Sequence, residues 1–157
     1  MKPEVFFLKY AFPCSFILKQ RGEIGDKEFK QLEEGAINNK VLPRKLLEKI
    51  YFRAFEKIKP IAQEMDRDKW DLDVLKEYFL ARHNALIDEG MYAYAQAPET
   101  LKNLCRVHKA KVLNVKDDVL VVEYAGGKRR PVMGTMVSGA KIGDLVTIHY
   151  GYAVEKI

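Results

Sequence analysis

Residues 119–132, which read VLVVEYAGGKRRPV, decide how the last third of this chain folds. The first six are almost all β-branched, aliphatic or aromatic, a composition typical of a strand. Gly126-Gly127 supplies the turn of a hairpin, and the segment from Arg130 to Val137 can form the returning strand. These residues therefore predict a β-hairpin.

Further short strands are predicted on both sides of this hairpin. Val112–Val115 precedes the turn-like Lys116–Asp118, and after Gly143-Asp144 the segment Leu145–Tyr150 has the composition of a final strand. Short strands separated by turn signals are typical of a small closed or partly closed barrel. We expect residues 104–157 to form a five-stranded, OB-like β-barrel domain.

Residues 1–103 show helical patterns instead. A helix is predicted over Asp26–Glu34, with Gly35 as its stop, and a second begins at Pro43, where a missing N–H costs nothing. Pro60 should end or kink that second helix, and a third is expected over Asp71–Glu89. The fold class is therefore α+β, with a helical domain at 1–103 followed by the barrel domain at 104–157.

The positive charge of the chain is concentrated in the barrel segment. The net charge is +5, and residues 104–157 carry nine Lys and Arg against five Asp and Glu. Lys128, Arg129 and Arg130 form a tight basic cluster beside the predicted turn. Such a cluster attracts an acidic protein surface or nucleic acid, or else is simply a solvated hairpin tip. We take these three residues as candidates for partner binding.

Two cysteines and the absence of long apolar runs indicate the compartment. Cys14 and Cys105 are too few for a disulfide framework. The N-terminal sequence lacks the long apolar region of a signal peptide, and no run of about twenty apolar residues is present. We expect a cytoplasmic protein with reduced cysteines and no membrane association.

Three further features have a common order and spacing. Cys105 is followed six and seven residues later by Lys111 and Val112, then comes VEYAGGKRRPV at 122–132, and the chain closes with GDLVTIHYGYAVEK at 143–156. In these features the segment from about 105 to 157 resembles the hydrogenase assembly chaperones of the HypC/HupF family. In that family the cysteine becomes the mature N-terminus, whereas here about a hundred residues precede it. The helical region is not assigned to any family.

The resemblance implies a function and a pair of site residues. Members of the family help to assemble the nickel–iron centre of hydrogenases, and their cysteine takes part in holding an iron that carries cyanide and carbonyl ligands. Cys105 and His149 are therefore the candidate metal ligands, with the thiol of Cys105 expected to be at least partly accessible. The implied partners are a HypD-like maturation protein and the precursor of the hydrogenase large subunit. The iron fragment would be held transiently, and no permanently bound cofactor is expected.

Other readings of the same residues stay open. Cys105 is also compatible with a small buried residue, and His149 with a packed residue of a strand whose alternation places Val146 and Ile148 on the opposite face. His108 lies three residues after Cys105, but no further ligands are placed for a structural zinc site. His83, beside Asn84, is expected to be a core histidine with a hydrogen-bond partner.

Two alternative functions belong to other classes. A basic barrel is compatible with nucleic-acid binding, although the sequence shows no aromatic platform for stacking bases and we regard nucleic acid as an unlikely partner. The chain is also compatible with a protein-interaction scaffold that has no metal role. No phosphate-binding glycine loop, catalytic triad or carboxylate pair stands out, so we do not expect an enzyme.

Overall fold

The computed structural model describes residues 1–90 and 96–157, which divide into two compact units, Met1–Ala97 and Pro98–Ile157. The first unit is helical, and the second consists of one helix and a closed barrel of five strands. The α+β class predicted from the sequence is confirmed. The division falls at 97/98, whereas the sequence suggested 103/104, because the helix that contains Cys105 belongs to the second unit.

The helices of the first unit are short and mostly consecutive. They are α1 (Pro3–Ala11), α2 (Ser15–Gln20), α3 (Asp26–Ile37), α4 (Arg44–Ile50), α5 (Phe52–Glu64), α6 (Leu72–Lys76) and α7 (His83–Asp88), with a 3-10 turn at Phe12–Cys14 and a π-helical segment at Glu77–Arg82. Among the described residues, no helix is long and apolar enough to cross a membrane.

An aromatic cluster around Phe7 forms the centre of the helical unit. The fully buried Phe7 ring lies 5.4 Å from the ring of Tyr51, 4.9 Å from Phe55, 5.5 Å from Trp70 and 5.7 Å from Phe79, measured between centroids. These rings come from α1, α5, the π-helical segment and the residues beside α4 and α6. Large buried aromatic side chains of this kind dominate core energetics, so the cluster joins the helices into one core.

The sequence predicted that α3 stops at Gly35, and this prediction is wrong. The helix continues to Ile37 and ends where Asn39 adopts a positive φ of 53° and the Lys40 N–H donates to the Gly35 carbonyl. Gly35 is needed for packing instead, because a Cβ there would lie 2.8 Å from Cδ2 of Leu8. Gly35 therefore allows the side chain of Leu8 to pack closely against α3 and does not terminate the helix.

Of the two outcomes predicted for Pro60, a helix end or a kink, the helix end is wrong. Pro60 lies inside α5, which continues to Glu64, while the chain departs from helical geometry at Tyr51 (φ −102°, ψ 38°). The buried Tyr51 hydroxyl shares a 2.6 Å hydrogen bond with Ser15 Oγ, so packing fixes the break there. The proline removes one backbone hydrogen bond, and burial of Ile58 and Ile61 offsets that loss.

The helix predicted over Asp71–Glu89 forms with a π-helical segment in its middle. The predicted role of His83 is confirmed: it is buried, and it makes a hydrogen bond with Asn84. Burial lowers the pKa of His83 to about 4 because it disfavours the charged imidazolium, against the effect of Asn84. His83 is therefore a neutral core residue at neutral pH.

The second unit begins with α8 (Glu99–Cys105) and continues into the strands β1 (His108–Lys116), β2 (Val119–Tyr124), β3 (Lys128–Met133), β4 (Leu145–His149) and β5 (Tyr152–Lys156). The hydrogen-bonded order is β1-β2-β3-β5-β4, and pairing of β4 with β1 closes the barrel. All pairs are antiparallel except β3 with β5, which meet in parallel at Met133 and Tyr152.

Alternating side chains fill the barrel interior. They are Ala110, Val112, Leu120, Val122, Tyr124, Val132, Val137, Val146, Ile148 and Ala153. Strand positions of period two place one set inside and the other outside. The predicted hairpin is present, with residues 125–127 as its loop between Tyr124 and Lys128.

The last strand was not expected. The sequence predicted Leu145–Tyr150 as the final strand, but β4 ends at His149 and β5 follows after only two residues. Tyr150 makes this tight turn by adopting a positive φ of 53°, which is uncommon for a residue other than glycine. The turn residue was therefore counted as strand, and β5 was taken for a charged tail.

Candidate functional site

Cys105 lies at the end of α8, three residues before β1, and its side chain is completely buried at 0% exposure. The expectation of an accessible thiol is therefore wrong. The physical reason is that the last turn of α8 is held against the barrel: the Tyr150 N–H donates to the Leu104 carbonyl at 2.7 Å. Cys14, the other cysteine, is half-buried, and no disulfide joins these two described residues.

His149 is the last residue of β4 and is also buried, at 1% exposure. Alternation correctly separates it from Val146 and Ile148, which belong to the barrel interior. The opposite face of β4 is nevertheless covered as well, since Thr147 is buried too. His149 is thus a polar side chain within a strand that is buried on both faces.

One hydrogen bond brings the chain segments of these two residues together. It links Tyr150, which follows His149, with Leu104, which precedes Cys105. The two predicted metal ligands are therefore next to the two ends of a single backbone hydrogen bond. Within the described ranges, however, no group of three or more His, Cys, Asp and Glu side chains is arranged to hold a metal ion.

The three basic residues predicted for partner binding divide between two environments. Lys128 and Arg129 are exposed, and Arg129 forms a 3.0 Å ion pair with Glu123. Arg130 is half-buried, because it is paired across the hairpin with Val122, whose side chain lies in the barrel interior. Opposed residues of a strand pair share a face, so Arg130 turns inward while its neighbours face solvent.

Arg130 is held in place by Tyr124 and by the turn after β4. Its Nη2 donates to the Tyr150 carbonyl at 2.9 Å and its Nη1 to the Tyr124 hydroxyl at 3.4 Å. Its guanidinium carbon also lies 4.8 Å from the centroid of the Tyr124 ring, in a cation–π contact. A fixed cation thus occupies the end of the barrel where the hairpin meets the turn between β4 and β5.

The side chains of Arg130 and Cys105 interact electrostatically. Burial lowers the pKa of Arg130, and the Tyr124 and Cys105 side chains oppose that effect. An interaction of this kind requires the thiol and the guanidinium to lie near one another. Cys105 is therefore a completely buried thiol with a cation near it.

Tyr124 also connects this cluster to α8. The Asn103 side chain donates to the Tyr124 hydroxyl at 3.3 Å, and the His108 ring packs 4.9 Å from the Tyr124 ring. His108 Nε2 lies 3.1 Å from the Asn103 carbonyl, which can only accept, so this nitrogen carries the proton. We call Asn103, Cys105, His108, Tyr124 and Arg130 the thiol cluster.

His108 serves the thiol cluster as a neutral donor. Burial lowers its pKa, the hydrogen bond with Asn103 raises it, and the positive charge of Arg130 lowers it further. The imidazole is therefore uncharged near neutral pH. With Nε2 committed to the Asn103 carbonyl, its role in the structure is to hold the end of α8 on the barrel.

Sequence reasoning missed Asn103 and Tyr124 and did not distinguish the half-buried Arg130 from its exposed neighbours Lys128 and Arg129. The inward position of Arg130 could have been predicted, because a three-residue loop between Tyr124 and Lys128 puts Arg130 opposite Val122. Asn103 carried no signal, since its role depends on the docking of α8.

No family model, curated protein or solved structure matches this chain.

Proposed function

We propose that this protein is a cytoplasmic metal-centre assembly factor of the HypC/HupF kind, which receives an iron fragment on Cys105 and escorts it to a hydrogenase large-subunit precursor. The observation that carries the proposal is the position of Cys105, a buried thiol immediately before the barrel and beside the guanidinium of Arg130. The role is binding and transfer, without catalysis by the chain itself.

The barrel supports this reading through its topology. Five strands closed in the order β1-β2-β3-β5-β4, with one parallel contact between β3 and β5, support the proposal of an OB-like barrel. The resemblance that begins at Cys105 and ends with the segment at 143–156 covers this barrel. Because small barrels host many functions, the proposal depends on the thiol and its neighbours and not on topology.

The chemistry of the residues suits a low-spin iron carrying cyanide and carbonyl ligands. A thiolate is a soft ligand, and a neighbouring cation favours the thiolate over the thiol. Such an iron brings most of its own ligands, so that one protein sulfur and one supporting imidazole are a sufficient contribution. Cys105 and His149 would supply these, with the cargo bound transiently.

Loading requires a local opening, because both side chains are covered. The hydrogen bonds that hold the end of α8 include Tyr150 N–H to the Leu104 carbonyl, Asn103 to Tyr124, and His108 to Asn103. Local opening of this segment costs less free energy than unfolding of the whole unit. We propose that a HypD-like partner stabilises the open form, and that closure protects the thiolate from oxidation.

The exposed basic residues offer a surface for such a partner. Lys128 and Arg129 lie at the hairpin tip, on the strand that carries Arg130. A nucleic-acid partner is disfavoured, because the three tyrosines of residues 98–157 are buried or half-buried and leave no exposed ring for stacking. An acidic protein surface therefore fits this tip better.

Co-purification tests the escort role directly. The tagged chain, isolated from its native cell, is expected to retain a hydrogenase large-subunit precursor or a HypD-like protein, identified by mass spectrometry. Substituting Lys128 and Arg129 with Glu should reduce that recovery, because the tip then repels an acidic surface. Lys116→Glu, an exposed charge reversal elsewhere on the barrel, is the matched control. Recovery of neither protein by the wild-type chain would refute the proposal.

His149→Ala is expected to weaken the retention of iron without abolishing it. An imidazole that supports a metal-bound thiolate contributes less than the thiolate itself, and loss of such supporting groups typically costs on the order of 10–100-fold in affinity. The measurement is the iron content of protein purified anaerobically with its partner. Thr147→Ala, which alters another buried polar residue of β4, controls for packing damage. Equal losses in the two variants would assign His149 to the fold alone.

A further inference from the structure

The hydrogen bonds of the Arg130 guanidinium are incomplete. Nη1 and Nη2 donate to the Tyr124 hydroxyl and the Tyr150 carbonyl, but Nε is buried and has no hydrogen-bond partner. Buried polar groups are almost always satisfied, and an exception calls for an explanation such as a ligand or an ordered water. The Nε–H of Arg130 is thus a donor for which the protein provides no acceptor.

The guanidinium cannot reorient to satisfy this donor without losing its other contacts. The Tyr124 ring lies against one face of the group, and the 2.9 Å bond to Tyr150 fixes its far end. Arg130 also lies within a strand that is paired along its length with β2. The direction of the Nε–H is therefore fixed before any ligand arrives, which is the condition for specific recognition.

The side chains around Arg130 indicate which kind of acceptor its Nε–H would bind. The backbone of Tyr150 accepts a hydrogen bond from Arg130 Nη2 at 2.9 Å and donates one to the carbonyl of Leu104, the residue before Cys105, at 2.7 Å. An acceptor at Nε would therefore lie near a group bound to the sulfur of Cys105. Lys128 and Arg129 are exposed, Arg106 forms a 2.7 Å ion pair with Glu99, and His108 donates to Asn103. Arg130 is thus the cation of the thiol cluster, and a charged donor prefers an anionic acceptor.

We propose that the Nε–H of Arg130 donates a hydrogen bond to the nitrogen of a cyanide ligand on the iron held by Cys105. This inference rests on the proposed function and adds to it the residue that recognises the ligands of the cargo. Cyanide bound to iron retains negative charge and a lone pair on nitrogen, whereas carbon monoxide is a poor acceptor. Arg130 therefore distinguishes a cyanide-bearing iron from a bare ferrous ion.

Infrared spectroscopy of the loaded protein tests this inference. A hydrogen bond to a metal-bound cyanide nitrogen raises its C–N stretching frequency, so the C–N bands should move to lower wavenumber in Arg130→Gln and Arg130→Lys. The lysine variant keeps the positive charge, so the iron should stay bound. Lys116→Gln, which removes an exposed charge outside the proposed partner-binding tip, should leave every band in place.

The outcomes separate this inference from the proposed function. C–N bands that are present and unshifted in both Arg130 variants would overturn the inference alone, since Nε would then need only a water. Loss of all bands in Arg130→Lys would also overturn it, by assigning Arg130 to retention of the iron. Absence of bands from the wild-type protein would reject the carrier function and the inference with it. Circular dichroism of each variant verifies folding, and if Arg130→Gln does not fold, Arg130→Lys decides.

Discussion

Cys105→Ala is expected to abolish the infrared bands of iron-bound cyanide and carbon monoxide in protein purified anaerobically with its partner. The thiolate is the direct ligand in the proposed carrier, and no other residue of the described barrel offers a comparable soft donor, because Cys105 is the only cysteine in residues 98–157. The loss should be complete and not graded, in contrast to the effect expected for His149.

The matched control for this experiment is Cys14→Ala. Cys14 belongs to the helical unit and is half-buried, so its replacement removes the other thiol of the chain while leaving the barrel unaltered. The bands should survive it. Persistence of the bands in Cys105→Ala would place the iron elsewhere, and the thiol cluster would lose its proposed role.

A third possible result would separate the carrier role from the escort role. If the wild-type protein shows no bands and the large-subunit precursor still co-purifies, the carrier role fails while the escort role stands. The position of Cys105 inside a longer chain makes this distinction useful. Unlike the cysteine of the resembling family, Cys105 has no α-amino group beside it, because about a hundred residues precede it.

The barrel could be predicted from the sequence because its strands and turns carry local signals. The β2–β3 hairpin follows from the β-branched, aliphatic and aromatic composition of Val119–Tyr124 and from Gly126-Gly127. β5 could not be predicted in the same way, since the turn before it uses Tyr150 at a positive φ, a conformation for which tyrosine is not a signal. Local patterns fail where tertiary contacts impose the backbone.

The same limit explains the errors in the helical unit. Gly and Pro both have low helix propensity, but tertiary packing outweighs this propensity at Gly35 and Pro60. Gly35 is required by the close approach of Leu8, and Pro60 is tolerated within the amphipathic α5. His83 was predicted correctly because its position on an apolar helix face already implied burial.

The candidate site was only partly predictable, for a related reason. The family resemblance indicated Cys105 and His149 but carried no information on their exposure, which depends on how α8 and β4 are covered. Arg130 was not distinguished from Lys128 and Arg129 because it belongs to a run of three basic residues. Its true environment follows from strand register, a property of the paired strands and not of the charge pattern.

Ile148→Ala is expected to destabilise the barrel severely. Ile148 is fully buried in the barrel core, one residue before His149. Truncating a buried Ile to Ala typically costs about 2–5 kcal/mol, from lost burial and from the cavity left behind. A core in a unit this small rarely supplies more than about 3–5 kcal/mol, so the substitution removes most of the stability and disperses the thiol cluster.

Hydrogen exchange measured on peptides from β1 and β4 reports this loss without interference from the helical unit. A loss of about 2 kcal/mol or more corresponds to exchange roughly 30-fold faster or more, where exchange follows opening of the barrel. Leu145→Ala provides the matched control in the same strand, because Leu145 is 51% exposed and its truncation should change stability by about 0.5 kcal/mol or less. Similar acceleration in both variants would show that the barrel is not stabilised by the interior described here. A selective effect of Ile148→Ala, accompanied by loss of the infrared bands, would instead tie retention of the iron to the folded barrel and not to a reactive thiol in an open chain.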